Sequence, residues 1–289
     1  MSKVAFLFLN YGNPMPLFGA IESLLKCNAS DRVDIIVVDN FSSLDIRKQI
    51  LAYIDGLSRK VHVIFNESNL GYGPGNNIGF EFCFDKIDSD IVFTMNPDIV
   101  FVNGDLEQLF EVVYLYDSLY TFEVIQNKEN ITRNYFSENL FYSSSNINKN
   151  ARFYYPSGCC FGVPKQMWRE FGGFADVYFL YFEELDYCYG IKEKLKRFPK
   201  LHVFDGISIV HQHGASTGIS KAIVHRSLFS EYYSARSRII FARRHLKSRL
   251  PSAVAYNFSL FVHRLISRAF GHAGTILRAT KDGIFCKGL

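Results

Sequence analysis

The sequence predicts an α/β fold, with a mixed, mostly parallel central sheet, flanking helices and a helical C-terminal tail. Three observations predict it. Apolar, β-branched runs alternate with stretches of helical periodicity in the N-terminal part. Each apolar run stops at a polar residue. After Ala222 the pattern turns helical to the end, interrupted at Pro251.

Taken in order, Val4–Leu9 is a continuous apolar run, and Pro16–Cys27 repeats Leu17, Ile21, Leu24 and Leu25 at helical spacing. Val33–Val38 is β-branched and stops at Asp39-Asn40; Ile46–Leu57 is helical again, and Val61–Phe65 is strand-like. A glycine-rich turn at 71–75 leads into a helix through Phe84, and Ile91–Met95 then ends at Asn96-Pro97-Asp98. Parallel sheets bind ligands outside the carboxyl ends of their strands, so Asn10, Asp39 and Asp98 are expected on one rim. Residues 126–150 are rich in Asn and Ser and read as a loop near the acceptor side. Order resumes at Tyr154, and no internal repeat is visible.

The 289 residues are 48% apolar and 16% aromatic with a net charge of only +4, which argues against disorder. The first apolar run is too short for a secretory signal or a membrane span. Six cysteines without a C-x-x-C pair read as reduced thiols of a cytoplasmic protein, and zinc spacing is absent. Charge is uneven. From Arg236 onward there are eleven Lys and Arg against Asp282 alone, a net of +10, which leaves −6 on residues 1–235. The segment Tyr256–Phe270 sets Phe258, Phe261, Val262, Leu265, Ile266 and Phe270 beside His263, Arg264 and Arg268. Such a helix either lies on an anionic membrane surface or packs on protein. Nucleic acid is a poor partner, since no binding module accompanies the charge.

Four segments can carry chemistry. Asn69 to Gly79 contains Gly71, Gly73, Gly75 and Gly79 with Asn76 and Asn77, allowing close backbone approach to an anion at a helix N-terminus. It lacks P-loop spacing, and an ordinary strand–helix turn is the plain alternative. Asp98 is either a turn residue or a hard-oxygen ligand for Mg²⁺ or Mn²⁺ bridging a diphosphate. Glu183, Glu184 and Asp186 follow the aromatic run from Phe179 to Phe182. They either complement a helix macrodipole or include a general base whose pKa the aromatic walls raise. His211 and His213 are either surface residues of a loop or include one that completes a metal site begun by Asp98, with His211 the preferred candidate.

Together these segments resemble glycosyltransferase family 2, with its GT-A fold, and especially its rhamnosyltransferase-like branch. The resemblance rests on order and spacing: Val37-Val38-Asp39-Asn40-Phe41-Ser42, Asn69-x-Gly71 through Asn77-x-Gly79, and Asn96-Pro97-Asp98. Ser157-Gly158, Phe171-Gly172-Gly173-Phe174, Tyr181-x-Glu183-Glu184-x-Asp186 and His211 with Ser216 follow. It covers roughly residues 3–245. It implies that Asn10 and Asp39 hold the nucleoside, with Gly71, Asn76, Asn77 and Asn96 lining the nucleotide-sugar site. Asp98 corresponds to the last acid of the family's D-x-D metal motif, with Asn96 in place of the first. Glu184 stands at the catalytic base, usually Asp in the family, and Gly190 stands where an Arg often follows. Ser157, Gly158, Glu183 and Asp186 are implied to position the acceptor and the base.

The expectation is therefore a metal-dependent, inverting glycosyltransferase with Mg²⁺ or Mn²⁺, a GT-A domain at 1–245 and a basic amphipathic tail at 246–289. It would move rhamnose from a dTDP donor, or another sugar from a UDP donor, onto a polysaccharide or lipid-linked glycan of the cell surface, such as O-antigen or capsule. A cytoplasmic place, peripheral on the inner face of the membrane, and a homodimer are compatible expectations. The rivals are a sugar nucleotidyltransferase and a non-catalytic nucleotide-sugar-binding scaffold. The first lacks its basic glycine-rich loop after strand one, and the second does not need the acids at 183–186.

Overall fold

The computed structural model describes residues 2–145, 148, 150–212 and 227–289. Strands β1 (Val4–Asn10), β2 (Asp34–Asp39), β3 (His62–Phe65) and β4 (Ile91–Met95) alternate with helices α1 (Met15–Leu25), α2 (Leu44–Asp55) and α3 (Tyr72–Phe82). Then come β5 (Ile99–Gly104), the short α4 (Gln108–Glu111), β6 (Ser118–Gln126), β7 (Glu129–Asn130), β8 (Arg133–Ser137) and β9 (Tyr142–Ser144). β10 (Tyr155–Pro156), β11 (Cys160–Pro164), α5 (Lys165–Phe171), α6 (Glu183–Leu195) and β12 (Lys200–His211) complete the body. Three helices follow: α7 (Leu228–His245), α8 (Leu250–Ile266) and α9 (Phe270–Ile284).

The main sheet runs β3-β2-β1-β4-β11-β6-β12-β5, with β7 paired to β6. β3, β2, β1 and β4 are mutually parallel, as the helical crossovers require. β11 is antiparallel to β4 and β6, and β5 is antiparallel to β12, so the sheet is mixed as expected. Burial on both faces explains the unbroken apolar runs. In β1, Val4, Phe6 and Phe8 face one core while Ala5 and Leu7 face the other. In β2, Ile35 and Val37 separate in the same way from Ile36 and Val38. Phe93 on β4 stacks on Phe122 of β6 at 4.6 Å between ring centres, tying the parallel part to the antiparallel part.

Residues 126–150 differ from the loop expected of them. β8 pairs with β9 and β10 in a separate three-stranded sheet, with Phe136 and Phe141 buried beneath it. Isolated aromatics among Asn and Ser gave too short a pattern to show strands. The tail differs too. The helix expected over Tyr256–Phe270 ends at Ile266, and Arg268 in a left-handed conformation (φ 56°) turns the chain into α9. Pro251 sits in the first turn of α8, where its missing N–H costs nothing. α8 and α9 pack on α7 around Ala235, Ile276 and Ala279. Buried Asn257 accepts from Arg238 (2.6 Å) and donates to Ala235 and Thr280. No helix among the described residues is long and apolar enough to cross a membrane. The six cysteines are free thiols.

Candidate active site

The parallel strands end on one rim, and their terminal polar residues meet there. Asn10 closes β1 and Asp39 closes β2 in register. Asn10 donates to Asp39 Oδ1 (3.3 Å), while Asp39 Oδ2 accepts from the Ser42 amide (3.0 Å) and Arg47 Nε (2.9 Å). Asp39 is completely buried, so the Arg47 pair and these donors offset its desolvation. Beside it, exposed Tyr11 and Phe41 flank the ends of β1 and β2, Phe41 with a left-handed backbone (φ 75°). An exposed aromatic beside a buried acid suits a flat heterocycle that needs both stacking and a hydrogen bond.

Asn40 organises the glycine-rich turn. Its amide donates to Asn69 Oδ1 and the Gly71 carbonyl, and its oxygen accepts from Asn66 and the Leu70 amide. Gly71 has φ +85°, and a Cβ there would lie 2.3 Å from the Phe179 carbonyl oxygen, so only glycine fits. Tyr72 N–H bonds that same carbonyl (2.8 Å), which pins the start of α3 to the loop before α6. Asn76 is buried and donates to the Tyr72 carbonyl, and its side-chain oxygen has no protein partner. Asn77 instead clasps the Phe174 backbone through both of its amide functions.

Asn96, Asp98 and His211 converge from distant segments. β12 pairs with β5 so that His211 lies opposite Ile99, next to Asp98. His211 Nε2 is 3.2 Å from Asp98 Oδ1 and 3.4 Å from Asn96 Nδ2. The Gln212 amide bonds the Asp98 carbonyl (2.8 Å), fixing the turn. A carboxylate oxygen beside an imidazole nitrogen is a donor set that fits a divalent cation. No group of three or more His, Cys, Asp or Glu suited to a metal occurs among the described residues, so phosphate oxygens or water must complete such a shell. His213 and Ser216 lie outside the described residues.

The acid cluster opens α6. Tyr181 and Phe182 both have left-handed backbones (φ 71° and 76°) immediately before Glu183. Two consecutive non-glycine residues of this kind cost about 1–3 kcal/mol each, and such strain gathers at functional sites. Glu184 is partly buried, and its carboxylate lies against Gly158, where a Cβ would come within 1.9 Å of Oε1. Burial raises the Glu184 pKa to about 7. Glu183 is almost wholly buried with Oε1 unpartnered, and burial first, then the charge of Glu184, push its pKa well up. Tyr72, whose hydroxyl donates to the Gly158 carbonyl (2.6 Å), is also raised by burial and by Glu184. The Ser157 hydroxyl oxygen accepts from the Cys159 thiol (3.3 Å), and its amide donates to the Thr132 carbonyl.

Asp186 faces away from this group. It accepts from Tyr178 (2.8 Å), Arg244 Nε (2.8 Å) and His245 Nε2 (2.7 Å), locking α6 to α7. Burial lowers the His245 pKa, but Asp186 and Glu193 outweigh it and the net shift is upward. Sequence reasoning named no roles for Arg47, Asn40, Asn66, Asn69, Tyr11 or Tyr72. The Asn40 and Asn69 positions stood within its motifs, whereas nothing in the sequence links Arg47 to Asp39.

A family model described as "Glycosyl transferase family 2" matches residues 11–172. The low-salt glycan biosynthesis hexosyltransferase Agl10 of Haloferax volcanii is 24% identical over 193 residues, covering 63% of this chain and 61% of that protein. The chain thus spans about three-fifths of that relative's length. Among solved structures, GalNAc-T7 with UDP, GalNAc and Mn²⁺ has a TM-score of 0.60 at 13% identity, covering 90% of this chain and 57% of that one. Mannosyltransferase PcManGT from Pyrobaculum calidifontis, in complex with GDP-Man and Mn²⁺, has a TM-score of 0.60 at 11% identity. It covers 99% of this chain and 88% of that one. These likenesses establish a GT-A fold.

Proposed function

The chain belongs to glycosyl transferase family 2, and on that premise we propose that it is an inverting glycosyltransferase using a nucleotide-sugar donor. One observation carries the reading: Glu184, with a pKa raised to about 7 by burial, leans on Gly158. A carboxyl titrating near neutrality is tuned for general-base work on an acceptor hydroxyl. Glu184 takes that proton as the hydroxyl attacks the anomeric carbon, in one displacement with no covalent intermediate.

Asp39 and Asn10 bind the nucleoside, with Tyr11 and Phe41 at its flanks, while Asn76 and the Gly71 turn approach the donor's phosphates. Asp98 and His211, with Asn96, hold a divalent cation, Mn²⁺ or Mg²⁺. When bound, it supplies charge stabilisation to the departing nucleoside diphosphate. The Mn²⁺ in the GalNAc-T7 and PcManGT structures supports this assignment. Burial of Glu183 disfavours its charged form and so opposes a second charge beside Glu184. Asp186 positions α6 through Arg244 and His245.

The donor sugar is a hexose, with rhamnose from dTDP or a UDP-linked sugar as its specific forms; similarity to a glycan-biosynthesis hexosyltransferase supports the class. The acceptor is a surface polysaccharide or lipid-linked glycan. A membrane surface is a partner of the 246–289 tail, where Phe258, Ile266 and Phe270 are exposed beside Lys247, Arg249 and Arg268. Thermal stabilisation by UDP, dTDP, GDP and CDP, with and without Mn²⁺, tests the reading without an acceptor. One nucleotide should raise Tm in a Mn²⁺-dependent manner, and Asp98→Ala should abolish the metal dependence. No shift with any nucleotide contradicts the donor site.

A further inference from the structure

The excursion at 126–150 builds one wall of a cavity that the donor and base do not use. The cavity encloses about 580 Å³, within the range of small-ligand sites. Its lining includes Arg133 from β8, Arg152, Phe153 and Tyr154 from the segment before β10, Arg197 and Phe198 from the turn between α6 and β12, and Lys200 at the start of β12. Four cations and three aromatic rings thus share one concavity.

The charges are only partly matched. Arg197 and Lys200 share the single carboxylate of Asp117, and Arg152 pairs with Glu138. Arg133 is exposed and has no ion-pair partner among the described residues. Phe153 and Phe198 stack at 3.6 Å between ring centres, Phe153 rests against Tyr189 of α6, and Lys192 lies over Phe198, so the outer face of Phe153 is the one left for a ligand. The platform is therefore fixed before any ligand arrives. A guanidinium fork matches the two oxygens of a carboxylate or phosphate, and an aromatic face suits the C–H face of a sugar ring.

The cavity is also connected to the base. Pro156 of β10 pairs with Arg133, and two residues later Gly158 touches the Glu184 carboxylate. Tyr154 and Gly158 are four residues apart, a reach of at most about 14 Å. At the other side, α6 carries Glu184 at its first turn and leads to Arg197 just beyond its last. One extended segment and one helix thus join the two sites, at a separation that suits different residues of one glycan.

We propose that this cavity binds an oxyanion-bearing sugar, a uronate or a sugar phosphate, of the acceptor glycan, at a distance from the hydroxyl that Glu184 deprotonates. The acceptor role rests on the transferase reading; the binding chemistry does not.

The test is titration calorimetry of the full chain with glucuronic acid, glucose phosphate, inorganic phosphate and glucose, on wild type and Arg133→Gln. Arg133 holds no ion pair, so this variant keeps its fold, which nucleotide-induced thermal shift verifies on the same sample. Wild type should bind glucuronic acid or glucose phosphate, and the variant should bind it about fivefold more weakly. Glucose should bind neither protein. No binding of either acidic sugar by wild type, or equal binding by the variant, overturns the proposal. Inorganic phosphate binding as tightly as glucose phosphate overturns the sugar-stacking part. Nucleotide binding without sugar binding defeats only this cavity, and sugar binding without nucleotide binding defeats only the transferase reading.

Discussion

Asp39 and Glu183 are both acids buried at the same rim, and the protein treats them in opposite ways. Asp39 is ringed by Asn10, the Ser42 amide and the Arg47 guanidinium, so its charge is matched where it sits. Glu183 is just as buried, yet one of its oxygens has no partner and its pKa is driven well up. The first arrangement serves a fixed charge offered to a ligand. The second disfavours ionisation of Glu183 next to Glu184, so the two carboxyls do not readily carry charge together. The donor side thus holds a matched charge at Asp39, and α6 holds a desolvated carboxyl at Glu183.

Removing the compensation at Asp39 is the severest way to break that contrast. Arg47→Ala leaves a fully buried carboxylate without its cation, and urea unfolding should show a loss of about 3 kcal/mol. An unchanged midpoint would mean that Arg47 is not what makes the burial of Asp39 tolerable. Next comes the support under Glu184. Gly158→Ala puts a methyl group where Oε1 lies, so sugar transfer should fall roughly 10²-fold while Tm and nucleotide binding hold. Full activity in this variant would detach Glu184 from the chemistry.

The smallest effect is expected at Glu183. Because its folded pKa lies above the unfolded value of about 4.5, the stability it allows is complete below that value. It is lost as pH rises toward the folded pKa. Glu183→Gln removes this titration, so its Tm relative to wild type should improve by a few degrees from mildly acidic to alkaline pH. A constant difference across that range would show that burial does not raise the Glu183 pKa.

Much of this rim was legible in the residues. β1, β2 and β4 alternate between two cores while reading as unbroken apolar runs; Asn10 and Asp39 close β1 and β2, and Asp98 follows shortly after β4, at the positions where the apolar runs end. Convergence of Asp98 with His211 required only that β12 end beside β5. What stayed hidden depends on long-range partners. Asp186 was expected to position the acceptor and the base, and the partners through which it holds α6, Arg244 and His245, stand nearly sixty residues later. Asn77 resembled a donor ligand until the Phe174 backbone supplied both its partners. The strands of the 126–150 region were masked by polar residues, because a small sheet covered on one side needs few apolar positions.

The pH dependence of kcat/KM for sugar transfer tests the central claim most directly, that a base tuned by burial drives the reaction. The rate should rise with pH through an acid limb near 7, the value to which burial raises Glu184, and Glu184→Gln should lose transfer while keeping donor binding. An acid limb near the ordinary glutamate value of 4.5, or near-full activity in Glu184→Gln, would contradict the account.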